Sequence, residues 1–301
     1  MKQAVVTNRH EELRLKSANH TYAYFPGCSL HSTGLEYGLS TRAVFRQIGY
    51  QLQELPGWNC CGASSAHALN HWLGVALPAR NLALAEAQGH DLVVPCAACF
   101  NRLKGAEHAM KNEPDLRSEI EAMLGFRFSG SVAIRPVLGV LCEDFGPEQL
   151  RAQVQRPLTG LKLVTYYGCL LVRPPQVVGF DDPEDPRLME SLLRACGAEV
   201  LPWSHATDCC GGSLSLSRSD VVRDLVSRIV ARAREAGAEA LATACPLCQV
   251  NLEMRQVEEP KMPAFYFTEL LGLALGLPEA GKWWRKHLID PRPALRAAGL
   301  V

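Results

Sequence analysis

The chain is predicted to fold as an α/β protein of two pseudo-symmetric repeats, each a parallel sheet flanked by helices. Three observations carry this. Five cysteines, Cys28, Cys60, Cys61, Cys96 and Cys99, recur as Cys169, Cys209, Cys210, Cys245 and Cys248. All but the leading pair keep one offset of 149 residues, and rare residues repeating at a fixed period mark one unit used twice. Within each repeat, short apolar runs alternate with segments of helical periodicity, the pattern of parallel strands joined by crossover helices. The cysteines fall just after the apolar runs, at the carboxyl ends of the predicted strands, where open α/β sheets bind ligands.

Residues 1–20 are polar, mixed in charge and without apolar periodicity, which predicts a mobile N-terminal arm or a partner contact. The first repeat is expected over 21–150. YAYF at 22–25 reads as a strand stopped by Pro26 and Gly27, and apolar residues at helical spacing run from Leu35 to Ile48, so Cys28 sits in a strand-to-helix loop. Gly49 ends that helix, YQLQEL gives a second strand, and Pro56 with Gly57 opens the loop bearing Cys60 and Cys61. A helix over about 75–87 stops at Gly89, DLVV at 91–94 is a buried strand, and Cys96 and Cys99 follow where a helix begins. Helices near 102–111 and 115–124 and the segment VAIRPVLGVL lead to a boundary near 145–160.

The second repeat, 151–275, runs through strand KLVTYY, Cys169, a helix over about 186–195, strand EVL, Cys209 and Cys210, a helix over 219–236, and strand EALAT before Cys245 and Cys248. AFYF and TELLGLALG read as a strand and helix added after the repeat. Residues 276–301 form a helical tail in which Trp283 and Trp284 either pack a terminal helix or offer a docking surface. Cys28 and Cys169 differ by only 141, so the second repeat holds eight extra residues, assigned to the proline-rich acidic stretch PPQVVGFDDPEDP. That stretch is expected to rim a cleft and repel anionic substrates.

Formal net charge is zero, which predicts no nucleic-acid or anionic-membrane footprint, and the longest apolar run, LLGLALGL near 270, is too short to span a bilayer. No secretory pattern opens the chain, so its thiols are expected to stay reduced, in the cytoplasm. A disulfide framework belongs to small secreted chains and fits poorly with 301 residues and 48% hydrophobic content. A thioredoxin-like dithiol would leave Cys28, Cys60 and Cys61 without a task. Zinc needs four ligands and remains open for one C-x-x-C plus a vicinal pair, while soft thiolates from several loops suit iron and sulfide.

The order of a lone Cys, then Cys-Cys-Gly, then Cys-x-x-Cys, given twice, resembles the cysteine-rich CCG domain of the heterodisulfide reductase B subunit, over roughly residues 21–275. The gap from Cys169 to Cys209 is slightly longer than that family's usual range. The resemblance implies that Cys28, Cys60, Cys61, Cys96 and Cys99 hold one noncubane 4Fe-4S cluster and Cys169, Cys209, Cys210, Cys245 and Cys248 another. One 4Fe-4S cluster with one zinc is the alternative content. It further implies the catalytic subunit of an oxidoreductase complex that cleaves, or forms, a small or protein-bound disulfide between the two clusters. The chain has neither a ferredoxin cysteine run nor a G-x-G-x-x-G flavin fingerprint, so the family's ferredoxin-like C subunit and flavin-containing A subunit are the implied partners. The alternative is a CCG-type electron-transfer subunit of a respiratory dehydrogenase, like the E subunit of some succinate:quinone reductases.

Beyond the motif, His31 and His205 lie near ligand cysteines and are candidate proton donors to a nascent thiol. His67 and His71 have no third ligand beside them in the sequence. Gly62, Gly211 and Gly212 are expected to provide the sharp turn that lets two neighbouring cysteines face one site. Cys142 and Cys196 read as core residues.

Overall fold

The computed structural model describes residues 21–63 and 65–301; the expected arm, 1–20, lies outside the described residues. The first repeat builds a four-stranded parallel sheet in the order β2-β1-β3-β4 from β1 (Thr21–Tyr24), β2 (Gln51–Glu54), β3 (Leu92–Val94) and β4 (Ile134–Pro136). The second builds the same order, β6-β5-β7-β8, from β5 (Lys162–Tyr166), β6 (Glu199–Val200), β7 (Ala240–Thr243) and β8 (Ala264–Tyr266). Every strand pair is parallel, with Tyr24 against Glu54 and Tyr166 against Thr243. Of the central strands, β3 (LVV) and β7 (ALAT) are wholly buried, as parallel strands covered on both faces must be. β2, at an edge, alternates exposed and half-buried residues.

The helices that position the site are α1 (Leu35–Gln47), α2 (His71–Gln88), α3 (Ala97–Asn112), α4 (Leu188–Ala195), α5 (Ser219–Glu235), α6 (Pro246–Met254) and α7 (Phe267–Ala274). α2 begins four residues before the expected Val75 because Asn70 Oδ1 accepts from Leu73 N at 3.2 Å, a cap that apolar periodicity does not reveal. α3 begins directly after Cys96, ahead of the expected 102.

One expectation is corrected in kind. β8 and α7 are not additions after the second repeat: they are the counterparts of β4 and the short helix Val137–Val140, the fourth strand and following helix of each sheet. The strand IRP is hidden in the sequence because it is three residues long and ends in proline, with its pairing to β3 supplied by tertiary contact.

The two sheets meet through these fourth-strand elements. α7 packs on α1, where Ser40 Oγ lies 2.7 Å from Thr268 Oγ1 and Tyr37 stacks on Tyr266 at 4.3 Å and 3°. Aromatic pairs of this kind are worth about 0.5–1.5 kcal/mol beyond their burial. The Tyr37 hydroxyl faces the carbonyls of Pro95 (3.1 Å) and Ala244 (3.4 Å), the residues before Cys96 and Cys245. α4 buries Met189, Leu192 and Leu193, and the expected core residue Cys196 closes it, fully buried.

The eight-residue insertion does not form a free acidic rim. It crosses to the first repeat, where Phe180 meets Phe100 edge-on at 6.2 Å, and the residues just before it are held there by Asn101 Nδ2, which donates to the carbonyls of Leu170 (3.1 Å) and Arg173 (2.7 Å). Its carboxylates are occupied. Asp181 Oδ2 accepts from Arg187 N and Leu188 N, Asp182 Oδ1 accepts from Glu184 N and Asp185 N, and Glu184 and Asp185 pair with Arg173 and Arg187. Local backbone donors and arginines fix the position of these carboxylates, which stay ionised.

Trp283 and Trp284 are buried, Trp283 against Gly272 of α7, so they pack the tail and present no docking surface. His287 fastens the same tail, with Nδ1 at 2.7 Å from Glu253 Oε1 and Nε2 at 3.0 Å from Glu269 Oε2. Burial, which disfavours the imidazolium, is outweighed by Glu269 and Glu253, and the pKa is raised from 6.5 to about 11. The stability His287 contributes is therefore complete below pH 6.5 and is lost as pH rises through about 11. Replacing His287 by Gln is expected to cost about 3 kcal/mol of unfolding free energy near neutral pH. Denaturant melts of both proteins at neutral and alkaline pH check this, with the gap narrowing as pH rises.

Candidate metal centre

All ten repeated cysteines stand at carboxyl ends of strands. Cys28 follows β1 on a short 3-10 turn, and Cys60 and Cys61 lie in the loop after β2. Cys96 caps α3 and Cys99 is in its first turn. Cys169, Cys209 with Cys210, and Cys245 with Cys248 hold the same places after β5, β6 and β7. A helix start offers free N–H groups and the positive end of the helix dipole, both of which favour thiolate. All twelve cysteines carry free thiols.

The thiols form one connected series. Cys28 and Cys60 lie 3.8 Å apart, Cys61 and Cys99 3.2 Å, and Cys210 and Cys248 3.6 Å. Cys96 and Cys245 interact across the seam and join the two fives. Cys61, Cys96, Cys99, Cys210, Cys245 and Cys248 are buried, and Cys28, Cys60 and Cys209 reach solvent.

Backbone N–H groups aim at the sulfurs. Gly62 N lies 3.4 Å from Cys60 Sγ and Gly211 N 3.3 Å from Cys209 Sγ. The Cys169 thiol and the N–H groups of Gly211 and Gly212 hold Cys209 down to about 6. Cys61 is held well below the usual thiol range by its contacts with Cys60 and Cys99, and Cys245 by its contacts with Cys248 and Cys96. Cys60, Cys96, Cys99, Cys169 and Cys248 are pushed up because each shares its proton with a neighbouring sulfur.

Two of the expected glycines have the anticipated conformation: Gly62 has φ +71° and Gly211 +77°. Gly212 does not; it opens a 3-10 turn. Sequence reasoning missed a further requirement at Gly27 (φ +69°) and Gly168 (φ +66°), where an added Cβ would stand 2.8 Å from Cys99 Sγ and 2.9 Å from Cys248 Sγ. The signal was present in the matched segments PGCSL and YGCLL.

The donor set can be tested against a metal group. Among the described residues, no three His, Cys, Asp or Glu side chains are grouped as ligands of a single ion would be. The second five instead surround a cavity of about 70 Å³ closed by Ala63, Ala97 and Ala98 from the first repeat. Soft thiols spread in pairs around one enclosed space fit a multinuclear iron–sulfur group better than one zinc ion.

His31 and His205 lie outside this series. His31 is largely exposed, 3.4 Å from Glu54 Oε1 and beside the Trp58 ring. His205 is half-buried, with Nδ1 at 2.8 Å from Ser204 Oγ, Nε2 at 3.7 Å from Asp208 Oδ2 and Trp203 alongside. His67 approaches Arg102, and His71 pairs with Glu113 at 2.9 Å. Cys142 is only half-buried, turned to the Leu188 carbonyl, and burial pushes its thiol up to about 12.

A family model described as a cysteine-rich domain, CCG, matches residues 22–104 and again 163–253. The 8-methylmenaquinol:fumarate reductase membrane anchor subunit of Wolinella succinogenes is 31% identical over 277 residues, 89% of this chain and 97% of that one. The B subunit of a ferredoxin/F(420)H(2)-dependent CoB-CoM heterodisulfide reductase from Methanosarcina acetivorans is 27% identical over 267 residues, 84% of this chain and 88% of its own. An Archaeoglobus profundus protein named for its likeness to the heterodisulfide reductase B subunit is 29% identical over 272 residues, 85% and 90% respectively. A crystal structure of a hypothetical protein from Helicobacter pylori shares the fold alone, with a TM-score of 0.70 at 11% identity, covering 90% of this chain and 52% of that one.

The glycine geometry gives a direct test. Gly168→Ala is expected to cost about 1–3 kcal/mol through its positive φ and to displace the Cys248 side chain. Thermal melts, and a faster reaction of the metal-free protein's buried thiols with a thiol reagent, measure both effects.

Proposed function

The chain belongs to the cysteine-rich CCG family, in the duplicated form found in the B subunits of heterodisulfide reductases, and from that membership we propose that it is the iron–sulfur subunit of a multisubunit reductase. Cys28, Cys60, Cys61, Cys96 and Cys99 hold one noncubane 4Fe-4S cluster and Cys169, Cys209, Cys210, Cys245 and Cys248 the other. When bound, the pair supplies single electrons to a disulfide, or takes them from two thiols. The observation that carries this reading is the meeting of both thiol sets at one seam, with Cys96 in contact with Cys245. A disulfide has two sulfurs and needs two electrons, and facing sites hold both ends at once.

The chain's own residues bind and shield. The N–H groups of Gly62 and Gly211 orient the outer cysteines, and Ala97 and Ala98 keep water from the inner ones. His31, beside Glu54, and His205, beside Asp208, are assigned as the proton donors at the rim. Electrons enter from a ferredoxin-like and a flavin-containing partner in the complex. Among the described residues no helix is long and apolar enough to cross a membrane.

The near full-length similarity to the Wolinella succinogenes protein favours a second reading, in which the chain passes electrons within a respiratory reductase and handles no disulfide. Anaerobically purified protein is expected to contain about eight irons per chain with matching sulfide. Cys60→Ser and Cys209→Ser should each perturb one centre and spare the other in electron paramagnetic resonance spectra. Reoxidation of the reduced protein by added disulfides supports the first reading; reoxidation by quinones alone supports the second. One zinc with four irons would overturn the two-cluster assignment.

A further inference from the structure

The two thiol sets are alike in ligands but not in charge. At the 149-residue offset, Arg102 corresponds to Asn251 and Asn59 to Asp208. Both exchanges make the first site more positive.

Arg102 lies one turn beyond Cys99 on α3. Its Nη2 is 3.4 Å from His67 Nε2, and its buried Nε–H has no protein partner. At the equivalent place on α6, Asn251 Nδ2 donates to the Cys210 carbonyl (3.0 Å) and lies 3.6 Å from Cys210 Sγ, while Ser215 Oγ donates to its Oδ1 at 2.8 Å, a neutral and satisfied arrangement. Before the vicinal pair, Asn59 is neutral and receives Arg80 Nη1 at 2.9 Å on its Oδ1. Asp208, in the matching place, is half-exposed and directly precedes Cys209 in the chain.

Other charged groups nearby have partners of their own. Glu54 is paired with Arg42, and Arg173 with Glu184. Arg255 is a further turn beyond Asn251 and donates to the Ser215 carbonyl. His205 faces Asp208 at 3.7 Å.

We propose that Arg102 and Asp208 make the two redox sites unequal, so that the site of Cys28, Cys60, Cys61, Cys96 and Cys99 accepts the first electron and the site of the second five cysteines is reduced after it. A fixed cation favours the more negative, reduced form of whatever the thiolates hold, and a fixed anion opposes it. This inference rests on the two-cluster reading above. Arg102 is argued to set a potential through the thiolates, without touching a substrate.

The test is a stepwise dithionite titration of the anaerobically purified protein, followed by electron paramagnetic resonance, with each centre identified from Cys60→Ser and Cys209→Ser. Arg102→Gln is expected to lower the first site's reduction equilibrium by at least about tenfold, about 59 mV for a one-electron couple, at unchanged iron content. Arg102→Lys should restore most of the shift. Asp208→Asn should raise the second site alone, by less, because Asp208 is half in solvent. The inference is overturned if the second site is reduced first in the native protein, if Arg102→Gln moves neither potential, or if both variants move the same centre. Protein without two iron–sulfur centres overturns the underlying reading and this inference together; two centres with unmoved potentials overturn the inference alone.

Discussion

One buried hydroxyl stands between the two halves of the molecule. The Tyr37 side chain, on a helix of the first repeat and stacked on Tyr266 of the second, faces the carbonyls just before Cys96 and Cys245. Backbone carbonyls this deep must find a donor, and sharing one donor draws both helix starts to the seam. Cys96 then reaches Cys245, while Cys99 and Cys248 are carried on the same helices to Cys61 and Cys210. The short parallel strands serve mainly to deliver ten side chains to this line.

Much of this was legible in the sequence because cysteine is rare and parallel strands are apolar. The repeat, the strand-end position of every candidate ligand and the turns at Gly62 and Gly211 all follow from spacing and elementary backbone chemistry. What escaped had a tertiary origin. β4 is three residues with a terminal proline, and only its pairing with β3 makes it a strand. Gly27 and Gly168 are required by sulfurs some seventy or eighty residues away, a contact that no local pattern encodes. Composition also counts the acidic residues of the insertion without showing that backbone N–H groups fix where their carboxylates sit.

Departures from symmetry gather around the second repeat. The insertion reaches across to Phe100, and the tail is fastened to α6 and α7 by the His287 imidazolium between two carboxylates. Glu36, on α1, faces the same group, and burial together with the Glu269 and Glu253 carboxylates pushes it up to about 7. A duplicated core thus keeps its ligand geometry while its surroundings diverge.

Ala63, Ala97 and Ala98, the wall behind the second five cysteines, belong to the first repeat. The second half therefore does not enclose its own contents, and it is incomplete in the way that a monomer of an obligate dimer is. A chain carrying a single repeat could make this seam only by pairing with a copy of itself about a twofold axis. Covalent fusion of the halves removes that dependence on concentration, and it alone permits residues at equivalent positions, such as Arg102 and Asn251, to change independently.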